Sequence, residues 1–233
     1  MSSLEVYQKT RKVPDLAFNT YVCRPIAAVV VDGIKNTRVT PNQVTLSAVF
    51  VSAIACACIA LWTGYAGLLV GVLLFEASYV LDCADGMLAR WRGVASPEGH
   101  LFDFLMDELK AFLLLAVVAY RLFAEHADVR FLLLGLGGLV ALASGIALTT
   151  FVRRPEIAGP ERAPVSRRRG PLAIVEGAAK FVVHYPSYIW LAAAIGRIEL
   201  YFFPYIVINA LYAARMFLSV SLRFGRFAPR VTR

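Results

Sequence analysis

Six stretches of roughly 20 apolar residues, at about 42–63, 67–91, 97–123, 130–152, 173–195 and 200–223, leave this chain little choice of fold. A helix of that length crosses the roughly 30 Å hydrocarbon core of a bilayer while satisfying its own backbone polar groups. Short connections containing Gly, Pro or charge join the stretches, which predicts an all-α integral membrane protein with six transmembrane helices. Composition agrees, since 59% of the 233 residues are hydrophobic and 17% charged, against about a quarter charged in soluble domains. Upstream, residues 16–34 (LAFNTYVCRPIAAVVVDGI) are apolar but interrupted by Asn19, Arg24, Pro25 and Asp32. That pattern predicts a juxtamembrane amphipathic helix lying in the interface. The expected organisation is an N-terminal cytoplasmic and interfacial segment over 1–40, a membrane domain over 41–223 and a basic tail over 224–233. The first apolar stretch begins well after Met1 and more follow, so no cleavable leader is expected.

The net charge of +8 would suggest nucleic acid in a soluble protein, but the basic residues gather between apolar stretches. Arg11, Lys12, Arg24, Lys35 and Arg38 precede the first span, Arg90 and Arg92 lie between the second and third, six arginines between 153 and 169 follow the fourth, and four more lie between 223 and 233. The alternate connections, near Gly64, 125–129 and 196–199, carry almost none. The positive-inside rule then puts both termini on the cytoplasmic side of the cytoplasmic (inner) membrane. The partner this charge fits is the lipid bilayer, not nucleic acid. Cys23, Cys56, Cys58 and Cys83 show no metal-ligand spacing and read as small buried thiols.

Span two descends toward the cytoplasm through LDCADGMLARW, and span three returns with SPEGHLFDFLMDELKA. Asp82 and Asp85 are three apart and Asp103 and Asp107 four apart, so each pair projects from one helix face. An antiparallel hairpin would bring all four to one depth near the cytoplasmic boundary. Gly86, Ala89 and Gly99 share those faces at helical spacing, keeping them clear of bulk. Ser96 is the expected N-cap of span three and Pro97 its first residue. Four ionised carboxylates near hydrocarbon require counter-charge. Oxygen ligands without His or Cys favour Mg²⁺ or Mn²⁺, and two such ions would balance the charge. A two-ion site suits phosphoryl displacement. A cation transporter using the aspartates as a relay is the non-enzyme alternative.

These positions resemble the signature of the CDP-alcohol phosphotransferase (CDP-alcohol phosphatidyltransferase) family, DxxDGxxAR followed after eight residues by GxxxDxxxD. Here it reads Asp82, Asp85, Gly86, Ala89, Arg90, Gly99, Asp103 and Asp107, with every spacing intact. The resemblance implies a six-helix membrane core with an amphipathic N-terminal helix, and a homodimer. It also implies a transferase of phospholipid biosynthesis, in which an acceptor hydroxyl attacks the β-phosphate of a CDP-alcohol and CMP is released. Carried over by position, Asp82, Asp85, Asp103 and Asp107 would hold the metal ions. Asp107 would also be the general base, and Gly86, Ala89, Arg90 and Gly99 would line the nucleotide. Many members carry a basic residue after the last aspartate, where this chain has Glu108. Upstream, TRVTPNQVTL gives Thr40 and Gln43 capping-box spacing with Pro41 at the first helical position. Asn42 and Thr45 match a PNxxT that lies near the nucleotide in many members.

For the substrates, CDP-diacylglycerol with a small polar acceptor is the favoured pair, and CDP-choline or CDP-ethanolamine with diacylglycerol the alternative. The loop over 153–170 is the most basic part of the chain. Its Arg153 and Arg154, with Arg215 inside the last span, are candidates for an anionic acceptor, although topology and lipid headgroups also account for such a cluster. Glu176, Lys180 and His184 form a stripe on span five that reads as internal pairing and a hydrogen-bonded contact.

Overall fold

The computed structural model describes residues 2–12, 15–154, 157, 177–178 and 181–224. Among them the chain is helical throughout: α1 Ser3–Thr10, a π-helical turn Asn19–Cys23 leading into α2 Arg24–Ile34, α3 Pro41–Leu61, α4 Gly64–Arg92, α5 Pro97–His126, α6 Arg130–Arg153, a 3₁₀ turn Tyr185–Ser187, α7 Ile189–Ile195 and α8 Glu199–Phe224. Four of these, α3, α4, α6 and α8, are long and apolar enough to cross a membrane. This makes the chain an integral membrane protein. Leu133, Leu136, Leu211 and Phe217 are all more than 60% exposed, as lipid-facing side chains would be.

The third expected span corresponds to α5, which is 30 residues long but carries Lys110 and Arg121, both buried. Their charge faces protein instead of lipid. Arg121 donates to the carbonyls of Ile59 (3.1 Å), Trp62 (2.8 Å) and Gly64 (2.6 Å) and pairs with Glu125. It thereby satisfies the end of α3 and the turn into α4, whose last carbonyls have no helical partners. The fifth expected span lies largely outside the described residues, and its end is the 3₁₀ turn at Pro186 followed by the seven-residue α7.

Local signals place the helix starts. Thr40 Oγ1 accepts from the Gln43 N–H (3.3 Å) and Gln43 Oε1 from the Thr40 N–H (2.9 Å), closing the capping box of α3. Ser96 Oγ accepts from the Gly99 N–H (3.1 Å) and opens α5. Between them Gly93, at φ 68°, ends α4 in the left-handed region, where glycine carries no Cβ penalty.

Where the sequence suggested an interfacial helix, the chain is helical, beginning as the π-turn and joined by α1. Both are tied to the C-terminal end of α4. Arg92 donates to the carbonyls of Ile34 (3.0 Å), Lys35 (3.2 Å) and Thr37 (2.9 Å) past the end of α2, and Arg90 Nε donates to the Thr10 carbonyl (2.8 Å). Lys9 and Lys35 lie 4.6 and 5.3 Å from the Trp91 ring centroid, within cation–π range. Asp15 accepts from Leu16 N, Asn19 Nδ2 and Arg24 Nε. Burial alone would raise its pKa, but the bonded Arg24 guanidinium and the two further donors hold it below 3.8. Burial pushes the Cys23 thiol up to about 12, so it stays protonated. All four cysteines are free.

Candidate active site

The hairpin expected of α4 and α5 is splayed. The closest packing of α4 is against α3, and α5 packs against α6 and α3. The opening between α4 and α5 is a cavity of about 540 Å³. Three walls enclose it: the start of α3 (Thr40 to Thr45), the last turns of α4 (Asp85, Gly86, Ala89, Arg90), and the start of α5 with its leading loop (Val94 to Asp103). Two helix N-termini, of α3 and α5, thus face one space, and their partial positive charge suits an anion such as a phosphate.

At its inner edge Asp82, Asp85 and Asp103 converge, each offering an oxygen within 4.8 Å of the other two. Asp82 and Asp85 are buried, at 8% and 3% exposure. Oδ1 of Asp103 is buried and has no hydrogen-bond partner among the described residues. Such a carboxylate oxygen is costly to leave unmatched, and a hard divalent cation is the partner this all-oxygen set fits. The buried Thr45 hydroxyl donates to Asp85 Oδ2. Thr45 therefore orients a carboxylate of the cluster as well as lining the cavity, and outer contacts of this kind tune metal sites.

Asp107 stands outside that group of three. Its Oδ1 is 2.9 Å from Lys110 Nζ, and Lys110 also pairs with Asp82. Lys110 was not among the residues expected at the site. One sequence signal pointed to it, the i,i+3 spacing from Asp107, but its reach to Asp82 on another helix depends on tertiary packing. Tyr79, also unanticipated, bonds Asn19 Oδ1 (2.9 Å) and His184 Nε2 (2.7 Å), and His184 Nδ1 bonds Ser187 Oγ (2.6 Å). This chain of contacts ties α4 to the π-turn and to the segment before α7. His184 is thus hydrogen-bonded as expected, while Glu176 and Lys180 lie outside the described residues.

Asn42, Gly86, Ala89, Arg90 and Gly99 all line the cavity together with Thr45. Adding a Cβ to each glycine separates the positions the fold requires from those it does not. At Gly71 it would lie 2.5 Å from Ile59 Cγ1 and 2.9 Å from the Ala55 carbonyl oxygen, and at Gly135 2.3 Å from Ala119 Cβ. Those glycines are where helices touch. At Gly86 it would meet only the tip of Arg90, at 3.3 Å, and at Gly99 only Ser96 Oγ, at 3.4 Å. Neither contact explains a glycine inside a helix, which costs about 1 kcal/mol relative to alanine. Open space for a ligand does. Arg153, Arg154 and Arg215 do not line this cavity; all three side chains are exposed.

A helical membrane protein that sets a carboxylate cluster beside a cavity suited to an anion belongs to a narrow class, in which a hard cation and a phosphate-bearing ligand would meet. Within that class the chain belongs to the CDP-alcohol phosphatidyltransferase family, whose pattern matches residues 38–194. The family transfers a phosphatidyl group from a CDP-alcohol, and typically uses divalent metals. No curated protein matches the chain.

Proposed function

We propose that this protein transfers the phosphatidyl group of CDP-diacylglycerol to a small polar alcohol, releasing CMP, at the cytoplasmic face of the inner membrane. The observation that carries this reading is the cluster of Asp82, Asp85 and Asp103, with its unmatched buried oxygen, at the edge of a cavity lined by Gly86, Ala89, Arg90 and Gly99. Residues 41–223 form the catalytic membrane domain in this reading, with α5 and the segment ending in α7 completing six spans. The basic tail and the arginines of 153–170 stay on the cytoplasmic side. The family resemblance supports a homodimer as the assembled form.

The three aspartates would hold Mg²⁺ or Mn²⁺. When bound, such an ion supplies electrostatic stabilisation of the charge that develops on the diphosphate. The chain supplies the rest. Gly86 and Gly99 leave room for the nucleotide, and Arg90 presents its guanidinium to the same cavity. Asn42 offers a polar side chain at its rim. Asp107, half-exposed and held by Lys110, takes the proton of the acceptor hydroxyl as that oxygen attacks the β-phosphate. The bond broken joins the β-phosphorus to the oxygen bridging to CMP. Arg153 and Arg154 are exposed at the cytoplasmic end of α6 in this orientation, and Arg215 is exposed within α8; all three would attract an anionic acceptor.

The test is CMP release by purified protein with Mg²⁺ or Mn²⁺, offered CDP-diacylglycerol with a panel of polar alcohols, or CDP-choline with diacylglycerol. Release from CDP-diacylglycerol with one acceptor is expected. Release only from CDP-choline would reverse donor and acceptor, and metal flux without CMP would replace the enzyme with a transporter.

A further inference from the structure

Two cations would balance four equivalent aspartates, but the four are not equivalent. Lys110 is the buried cation of this region, its side chain 1% exposed, one turn beyond Asp107 on α5. Its ammonium pairs with Asp82 across on α4 and stays 2.9 Å from Asp107 Oδ1. A buried ammonium at membrane depth is retained only where carboxylates compensate it, and here two do. Nζ thus stands between Asp82 and Asp107 and supplies a positive charge to both. The remaining three aspartates have the geometry of one ion. Opposite ligands of Mg²⁺ at about 2.1 Å lie about 4.2 Å apart, and the oxygens of Asp82, Asp85 and Asp103 lie within 4.8 Å of one another. The unmatched oxygen, Asp103 Oδ1, belongs to this group. Charge agrees as well: with the ammonium in place, one divalent ion leaves a single net negative charge on the four carboxylates, and a second would make the site positive.

We propose that Lys110 replaces one of the two cations, so that a single divalent ion is held by Asp82, Asp85 and Asp103 while Lys110 positions Asp107 apart from it. The proposal rests on the cation-site reading above, and its test counts ions instead of turnover. Mn²⁺ binding to the full-length protein in detergent, followed by electron paramagnetic resonance, should give one tightly bound ion per chain. Lys110→Met should admit a second, because Asp82 and Asp107 lose their shared ammonium, and Lys110→Arg should stay at one. Asp107→Asn should leave both the count and the affinity unchanged, which decides the matter if Lys110→Met fails to fold. Two tight ions in the unaltered protein, none at all, a single ion retained by folded Lys110→Met, or loss of an ion in Asp107→Asn would each overturn the proposal. One bound ion without CMP release from any donor would overturn the proposed activity and leave this inference standing. CMP release with two bound ions would do the reverse.

Discussion

Gly86→Ala should separate what the fold needs from what the ligand needs. Gly86 lies inside α4, where alanine is favoured over glycine by about 0.5–1 kcal/mol. The added methyl would meet Arg90 Nη1 at 3.3 Å, and the free end of a long side chain can move by the few tenths of an ångström required. Stability should therefore be unchanged or slightly higher. The same methyl projects into the cavity shared with Ala89, Arg90 and Gly99. Overfilling a fitted space costs about 1–3 kcal/mol, so KM for the CDP-alcohol should rise by about 5- to 150-fold. Gly71→Ala is the control with the opposite signature, since its Cβ would lie 2.9 Å from the Ala55 backbone oxygen. It should destabilise by about 1–3 kcal/mol and leave the KM of the folded fraction alone. Thermal unfolding in detergent and initial rates against donor concentration measure both quantities. A Gly86→Ala protein that unfolds as early as Gly71→Ala, with unaltered KM, would refute the assignment of this face to the nucleotide.

Other perturbations probe the surrounding groups. Thr45→Val deletes the hydroxyl bonded to Asp85 while keeping the side-chain shape. Loss of such an outer contact should raise the half-saturating Mg²⁺ concentration about 10- to 100-fold, with kcat at saturation nearly preserved; a fall in kcat at unchanged half-saturation would contradict it. Asp107→Asn should cut turnover by about 100-fold or more, the scale of a lost general base, and full turnover would remove Asp107 from the chemistry. The carboxyl of Asp15 is held below 3.8 in the fold, so its contribution is complete above that value and is lost as pH falls through the folded pKa. Hydrogen exchange at Asn19–Cys23 should accelerate as pH falls below the ordinary aspartate range in the unaltered protein. Asp15→Asn should abolish that acid step, and persistence of the step would refute its origin.

The signature residues were legible because helical spacing alone puts Asp82 with Asp85, and Gly86 with Arg90, on one face of α4. The starts of α3 and α5 were legible for the same local reason: Thr40 with Gln43, and Ser96 with Pro97, announce a cap within four residues. What the sequence could not convey was the packing between helices. The hairpin suggested that α4 and α5 lie together, yet α3 packs on both, and the resulting gap is the cavity of the candidate site. Counting carboxylates treated Asp107 as the equal of the other three, because Lys110 reaches Asp82 only through the tertiary structure. Thr45 matched a motif near the nucleotide, and its bond to Asp85 emerges only when α3 is set against α4. Hydropathy could not show what compensates the charges of α5, since Lys110 and Arg121 find their partners on α3, α4 and the turn between them, as well as within α5.

The central claim is that Asp82, Asp85 and Asp103 hold an ion on which phosphatidyl transfer depends. Its most direct measurement is CMP release from CDP-diacylglycerol by the unaltered protein, in the presence of the acceptor that supports turnover, before chelation, after it and after Mg²⁺ is restored, alongside Asp85→Asn. Release should stop on chelation and return with Mg²⁺, while Asp85→Asn stays inactive at every Mg²⁺ concentration. Release that persists in chelator, or an Asp85→Asn protein with undiminished turnover, would contradict the account.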